Sequence, residues 1–160
     1  MPRIATIGVY RFNGESFVAA LDEAGVTVLI DVRQRRGVRG TEYAWANAKR
    51  LQRRLADARI RYAHHPELAP TTAMRELQYE QDARERVGKR DRAHLADVYT
   101  QRYLAEILDP TPLEPLLDDL PVHGLGALMC VESDAAACHR SLIADRLAER
   151  HGFEVEHLMP

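Results

Sequence analysis

Short apolar runs alternate with amphipathic segments along most of the chain. The runs are rich in β-branched residues, as buried strands are, and they cover residues 3–9, 27–33, 60–68, 126–132 and 153–159. Between them, apolar residues recur at helical spacing, for example Phe17 with Leu21 and Leu51 with Leu55. The alternation predicts a mainly parallel sheet with helices on both faces, a Rossmann-like three-layer α/β fold in a single domain over residues 1–160.

Local signals mark where several helices begin and end. Asn13 is the predicted N-cap of the first helix, and Gly25 is its predicted stop. The sequence Thr-Pro-Leu-Glu at residues 111–114 predicts a capping box at the start of a later helix. Residues 71–88 and 91–109 are highly charged and helical in pattern. We expect them to form a charged helical insertion before the fourth strand that lies over the domain.

Composition and the cysteine count narrow the protein class. A hydrophobic content of 46% with 29% charged residues is typical of a globular protein and not of a disordered chain. No apolar stretch reaches the roughly 20 residues that span a bilayer, and the first residues lack the pattern of a signal peptide. Two cysteines do not make a disulfide framework. The sequence therefore predicts a cytoplasmic protein with free thiols and no membrane partner.

Basic residues are concentrated in one segment, although the net charge is only −2. Residues 33–61 carry ten basic and two acidic side chains, a local charge of +8, and they include a helix predicted over residues 45–59. A basic helix face and loop of this kind follow phosphates in nucleic-acid-binding modules, which is the alternative function. A solvated face paired with the acidic insertion is the structural explanation. The residues concerned are Arg36, Arg50, Arg53 and Arg54.

In a parallel sheet, ligands bind outside the carboxyl ends of the strands. The residues that the pattern places there are Gly8, Asp31, Arg33, Cys130 and Glu132. A predicted helix then opens with Cys138, His139 and Arg140, where free backbone N–H groups and the helix dipole favour an anion. We expect Arg33 and Arg140 to hold the anion beside His139 and Gly8, with Asp31 and Glu132 orienting the two arginines. The predicted partner is a small anionic ligand, phosphate-bearing or nucleotide-like.

Several of these residues are also candidates for catalysis. A cysteine at a helix N-terminus beside an arginine has a lowered pKa and is nucleophilic, so Cys138 is the first candidate reactive group, with Cys130 and Glu132 as further catalytic candidates. An ion pair from Arg140 to Asp31 or Glu132 is the structural alternative. The two cysteines and one histidine match no common zinc spacing, even with His64 or His65 added, so no metal is predicted. Without a Gly-x-Gly-x-x-Gly fingerprint or a P-loop, the sequence identifies no cofactor.

Taken together, these stretches resemble the domain of unknown function family numbered 488. The resemblance runs from about Ile4 to His157. It implies an α/β sheet domain with a shared pocket and no particular reaction. Two departures from the family pattern matter: residues 35–39 replace a Pro-x-Ser-Arg, and Leu68-Ala69-Pro70 replaces a Leu-Gly-Gly, which stiffens the chain and removes a donor. The stretches that carry the resemblance are residues 6–8, 29–33, 62, 66–68, 130–132 and 138–141.

Overall fold

The computed structural model describes all 160 residues and contains one five-stranded sheet. All of its strands run parallel, in the order β3-β2-β4-β1-β5. Each strand lies within one of the apolar runs of the sequence or extends one residue beyond it. The strands are β1 (Arg3–Ile7), β2 (Val26–Asp31), β3 (Arg61–His64), β4 (Leu125–Met129) and β5 (Glu154–Leu158).

The helices connect these strands across both faces of the sheet. Because crossovers between parallel strands are right-handed, those running from β1 to β2 to β3 cover one face, and those from β3 to β4 and from β4 to β5 cover the other. The predicted three-layer α/β fold is therefore confirmed. No helix is both long and apolar enough to cross a bilayer. The helices are α1 (Gly14–Ala24), α2 (Ala48–Asp57), α3 (Thr72–Glu85), α4 (Asp97–Tyr103), α5 (Glu114–Asp119) and α6 (His139–His151).

The core lies between the sheet and the apolar helix faces. Strand β4 is buried along its whole length, which explains its uninterrupted apolar sequence. Phe17 and Leu21 of α1 and Leu51 and Leu55 of α2 are completely buried, so the helical spacing in the sequence marks the true inner faces. These contacts hold the layers together and leave the carboxyl edge of the sheet to the loops.

Local helix signals were correct at some termini and wrong at others. The Asn13 side chain accepts a hydrogen bond from Ser16 N at 2.8 Å, and Gly25 adopts a left-handed conformation with φ of 80°, as predicted. The capping box at residues 111–114 is wrong: α5 begins at Glu114 without a side-chain cap, because the Thr111 N–H donates to the preceding helical stretch. That stretch is a π-helical continuation of α4 over Leu104–Leu108.

The helix predicted over residues 45–59 is shorter at its start. Residues Thr41–Ala46 form a 3-10 turn, and α2 begins only at Ala48. The buried ring of Trp45 packs from this turn against Phe17, with 4.9 Å between the ring centroids. Trp45 therefore fits the apolar spacing of the predicted helix, although it lies in the turn that precedes α2.

Candidate functional site

A cavity of about 630 Å³ opens at the carboxyl edge of the sheet. Its walls come from the loop after β2, the loop after β4 and the turn before α6 on one side, and from α3 and the segment that follows it on the other. The charged helical insertion thus covers the strand ends, as its position in the sequence predicted. Cys130, Glu132, Cys138 and His139 all line this cavity.

The two thiols and one imidazole form a compact cluster in the cavity wall. Cys130 follows β4, and Cys138 is the N-cap of α6, so a strand end and a helix start bring them together. The Nδ1 atom of His139 lies 3.7 Å from the Sγ atom of each cysteine. Its Nε2 atom lies 2.8 Å from the carbonyl oxygen of Val32. Because a carbonyl can only accept, Nε2 carries a proton, and Nδ1 is the ring atom that faces the two thiols.

The electrostatics of the cluster make one of its thiols acidic. Burial raises the pKa of Cys138, but its hydrogen bond with Cys130 and the nearby His139 and Arg140 outweigh burial and lower it well below the usual value. The hydrogen bond with Cys138, together with burial, raises the pKa of Cys130 well above its usual value. The two pKa shifts have opposite directions, which favours a thiolate at Cys138 and a protonated thiol at Cys130.

Glu132 is a buried carboxyl group with an unused acceptor. Burial raises its pKa, the charge of Cys138 adds to that effect, and Lys89 and Arg92 oppose it, with a net rise. One carboxylate oxygen lies 3.4 Å from the Arg92 guanidinium. The other, Oε2, is buried without any hydrogen-bond partner. A buried acceptor without a hydrogen bond lowers the stability of the fold unless a ligand donates a hydrogen bond to it.

Arg92 joins the insertion to the loops below it. Its Nε donates to both carboxylate oxygens of Asp82 at 3.0 and 3.1 Å, and its Nη1 donates to the Ala137 carbonyl oxygen at 3.0 Å. Gln78 holds Asp82 from the other side, with 2.9 Å between its amide nitrogen and the Asp82 Oδ1. This buried network fixes the outer wall of the cavity against the turn before α6.

Arg33 lines the cavity, but three of its five N–H donors and its charge are already used within the protein. The guanidinium donates to both oxygens of Asp31, at 2.9 and 2.8 Å, and to the Ala46 carbonyl oxygen at 3.0 Å. Asp31, which is completely buried, also accepts from the Tyr62 hydroxyl at 2.6 Å. Asp31 thus holds the Arg33 guanidinium and the Tyr62 hydroxyl together at the end of β2.

Arg140 and Gly8 lie outside the residues that line the cavity. Arg140 donates to the carbonyl oxygens of Glu132 and Ser133 at 2.6 and 3.2 Å, so the ion pair to Asp31 or Glu132 that the sequence left open is wrong. A Cβ atom at Gly8 would lie 1.9 Å from the Glu132 carbonyl oxygen. Glycine at this position lets the end of β1 approach the loop after β4, and Arg140 braces the same loop.

One model of a known protein family matches most of the chain. The family model described as Domain of unknown function DUF488 matches residues 13–147. The chain belongs to this family. The matched range of this DUF488 protein contains the cysteine and histidine cluster and Glu132. No curated protein and no solved structure matches the chain.

Four cations of the DUF488 protein line the cavity without a carboxylate partner: Arg35, Arg39, Lys89 and Arg75, which donates to the Gln34 and Thr72 side chains. Arg35 and Arg39 are exposed in the loop after β2, and Lys89 is half-buried in the segment after α3. Burial lowers the pKa of Lys89, but Glu132 and Tyr10 outweigh it and the net pKa is raised. Sequence reasoning counted the two arginines only as part of a basic segment, and it missed Lys89 among the many charges of the insertion.

The departures from the family pattern also map to the cavity. Arg35 and Arg39 belong to the first departure, and Pro70, which belongs to the second, lines the wall beside α3. The proline offers no N–H to a ligand. Residues from both stretches that were expected to differ from the family pattern therefore lie in the cavity wall.

The four arginines of the alternative function lie apart from the cavity lining. Arg50 and Arg53 are exposed on α2. The Arg54 guanidinium packs over Gly14, where an added Cβ would lie 2.6 Å from its Cζ atom. Arg36 donates to the Tyr62 hydroxyl at 3.3 Å. The basic segment is thus divided into a loop that faces the cavity and a helix that faces outward.

Proposed function

We propose that the protein binds a small anionic molecule, phosphate-bearing or nucleotide-like, in the cavity at the carboxyl edge of the sheet, and that this molecule reacts at the cluster of Cys130, Cys138 and Glu132. The observation that carries the proposal is the set of cations without carboxylate partners in the cavity wall, Arg35, Arg39, Arg75 and Lys89. Both cysteines are free thiols, which supports a reducing compartment such as the cytoplasm.

Charge and shape both favour an anion as the occupant. Six basic residues line the cavity against two acidic ones, and two of the six, Arg33 and Arg92, are neutralised by buried carboxylates. The remaining positive charge in a concave site attracts and retains anions. The volume of about 630 Å³ is suited to a ligand of nucleotide size.

The cluster supplies groups suited to reaction with a bound anion. A thiolate is the reactive form of cysteine, which assigns the nucleophilic or ligating role to Cys138. Glu132, whose pKa is raised by burial, is suited to act as a proton donor or acceptor. Cys130 holds the proton that it shares with Cys138.

Thermal unfolding with inorganic phosphate, nucleoside monophosphates and nucleoside diphosphates tests the anion site. A ligand at about 100 times its Kd stabilises the protein by about 2.7 kcal/mol, which raises Tm by roughly 5–11 °C for a chain of this size. We expect Lys89→Met and Arg39→Ala to reduce the shift. Lys49→Ala, on the exposed side of α2, is the control and keeps it. A wild type that no anion stabilises, or shifts that survive both cavity variants, would contradict the proposal.

The exposed basic face of α2 supports a second candidate, binding of nucleic acid. Arg50 and Arg53 are exposed and form no ion pair within the chain. If nucleic acid is the partner, Arg50→Ala with Arg53→Ala weakens polynucleotide binding and lowers its salt dependence, whereas Lys89→Met leaves it unchanged. Stabilisation by mononucleotides that depends on Lys89 would instead assign the function to the cavity.

A further inference from the structure

We propose that Cys130, Cys138 and His139 bind a thiophilic divalent metal ion, Zn²⁺ above all, in the wall of the cavity. The proposal goes beyond anion binding because it explains how the two thiols act, as metal ligands held side by side. Only its last step, contact between the ion and a bound anion, rests on the proposed function. The sequence predicted no metal, since the spacing of the three residues matches no common zinc motif.

The distances within the cluster fit tetrahedral coordination. The three ligand atoms lie within 4.8 Å of one another, and each Sγ lies 3.7 Å from the His139 Nδ1 atom. With Zn–S bonds of about 2.3 Å and a Zn–N bond of about 2.0–2.1 Å, two tetrahedral S and N ligands are separated by about 3.6 Å. The two observed S–N separations therefore match tetrahedral geometry, and the two sulfur atoms lie within 4.8 Å of each other.

The hydrogen bond from His139 to Val32 prepares the imidazole for a metal. Metal-binding histidines commonly donate their second N–H to a carbonyl, which fixes the tautomer and the ring orientation. Here the distance from Nε2 to the Val32 carbonyl oxygen is 2.8 Å, and Nδ1 is left as the ligand atom. Cys130 is held at the end of β4 by its own N–H, which donates to the Ile7 carbonyl oxygen at 3.3 Å.

Glu132 provides an independent sign that a ligand belongs beside the cluster. The residue is only 8% exposed and lines the cavity, and its Oε2 atom has no hydrogen-bond partner. Its carboxylate is not one of the three clustered ligand atoms. We assign it to accept a hydrogen bond from a water molecule bound to the ion, a role that buried carboxylates fill next to zinc.

The set of three protein ligands distinguishes an open site from a closed one. Structural zinc sites use four protein ligands, whereas three ligands and one open position are typical of reactive sites. The histidines that the sequence offered as a fourth ligand are occupied elsewhere: His64 bonds the Arg33 carbonyl oxygen at 2.8 Å, and His65 bonds Glu67 and Asp119. The fourth position is therefore left to a molecule in the cavity. The ion displaces the proton of Cys130 to solvent, and the two resulting thiolates select zinc over magnesium or calcium.

The test is to titrate the metal-free protein with Co²⁺ and Zn²⁺ without any added anion. We expect one ion per chain, with the thiolate charge-transfer absorption and the visible bands of tetrahedral Co²⁺. Cys130→Ser and His139→Asn should weaken binding by more than about 100-fold, because even a change behind the ligands costs roughly 10–100-fold. His64→Gln is the matched control and keeps full affinity. Weak binding by the wild type, or binding without thiolate bands, would overturn the proposal.

A second measurement covers the case in which the variants do not fold. In the wild type, Zn²⁺ should protect both Cys130 and Cys138 from alkylation, as read by mass spectrometry of the two peptides. Continued alkylation of either thiol at saturating Zn²⁺ would reject the site. Lys89→Met separates this proposal from the anion site: it should lose anion-induced stabilisation while retaining the Co²⁺ spectrum. An intact spectrum with no response to any anion would refute the proposed function alone.

Discussion

Replacing Asp82 with asparagine tests whether the buried ion pair with Arg92 holds the insertion in place. The side chains of the two residues are 7% and 5% exposed, and their closest atoms lie 3.0 Å apart. Removing one partner of a buried pair leaves an uncompensated charge and costs about 3–5 kcal/mol. Arg92 keeps its bond to the Ala137 carbonyl oxygen and its longer contact with Glu132. We therefore expect the lower end, about 3 kcal/mol.

Urea and thermal unfolding of Asp82→Asn measure this loss. A change of about 3 kcal/mol lowers Tm by roughly 6–12 °C in a chain of this length. Because the charges are coupled, adding Asp82→Asn to Arg92→Met should cost less than it does in the wild type. Glu106→Gln is the control: its ion pair with Arg102 lies on the exposed surface, so Tm should not change measurably. A loss below about 1 kcal/mol in Asp82→Asn, or strict additivity, would refute the reasoning.

Two further predictions concern the backbone and a titrating phenol. Gly8→Ala should destabilise the protein by about 1–3 kcal/mol or more in urea unfolding, because its Cβ would meet the Glu132 carbonyl oxygen at 1.9 Å. Gly37→Ala, where the nearest atom is 3.9 Å away, should be near neutral. Burial raises the pKa of Tyr62 to about 12, and its bond to Asp31 adds to that effect against Arg36. The neutral phenol therefore stabilises the fold fully below about pH 10 and loses this effect as the pH rises through 12. Tyr62→Phe should flatten the alkaline fall in stability, and an unchanged slope would contradict this.

The sequence was most informative where burial dictates residue type. Strands buried on both faces must be apolar throughout, so the run that became β4 could be recognised without a structure. The roles of Asn13 and Gly25 could also be predicted from the sequence, because the N-cap and the stop of a helix each favour particular residue types. The start of α6 at Cys138 and His139 was also predicted, although the Cys138 side chain makes no capping hydrogen bond. Local residue preferences were therefore sufficient to predict these features.

The site depended on contacts that no local pattern records. Asp82 and Arg92 look like any other charges of the insertion, and only the folded chain brings the two together in a dry environment. No sequence pattern distinguishes Lys89 from the other charged residues of the insertion. Spacing rules for zinc describe ligands in a few common loops, so they did not anticipate Cys130 and His139 meeting across a strand end and a helix start. Arg33 was expected to bind an anion. The sequence does not reveal that its guanidinium already donates two hydrogen bonds to Asp31.

The place of β4 between β2 and β1 has a consequence for how the chain acquires its fold. Ile4 pairs with Gly126, and Leu29 pairs with Ala127, so the two sides of the sheet meet only through a strand made late in synthesis. Long loops must close before these pairings form, which slows folding. Until then, β1 and β2 each present an unpaired apolar edge of the kind that promotes aggregation. A chain interrupted before residue 125 has a gap at the centre of its sheet rather than a smaller complete sheet.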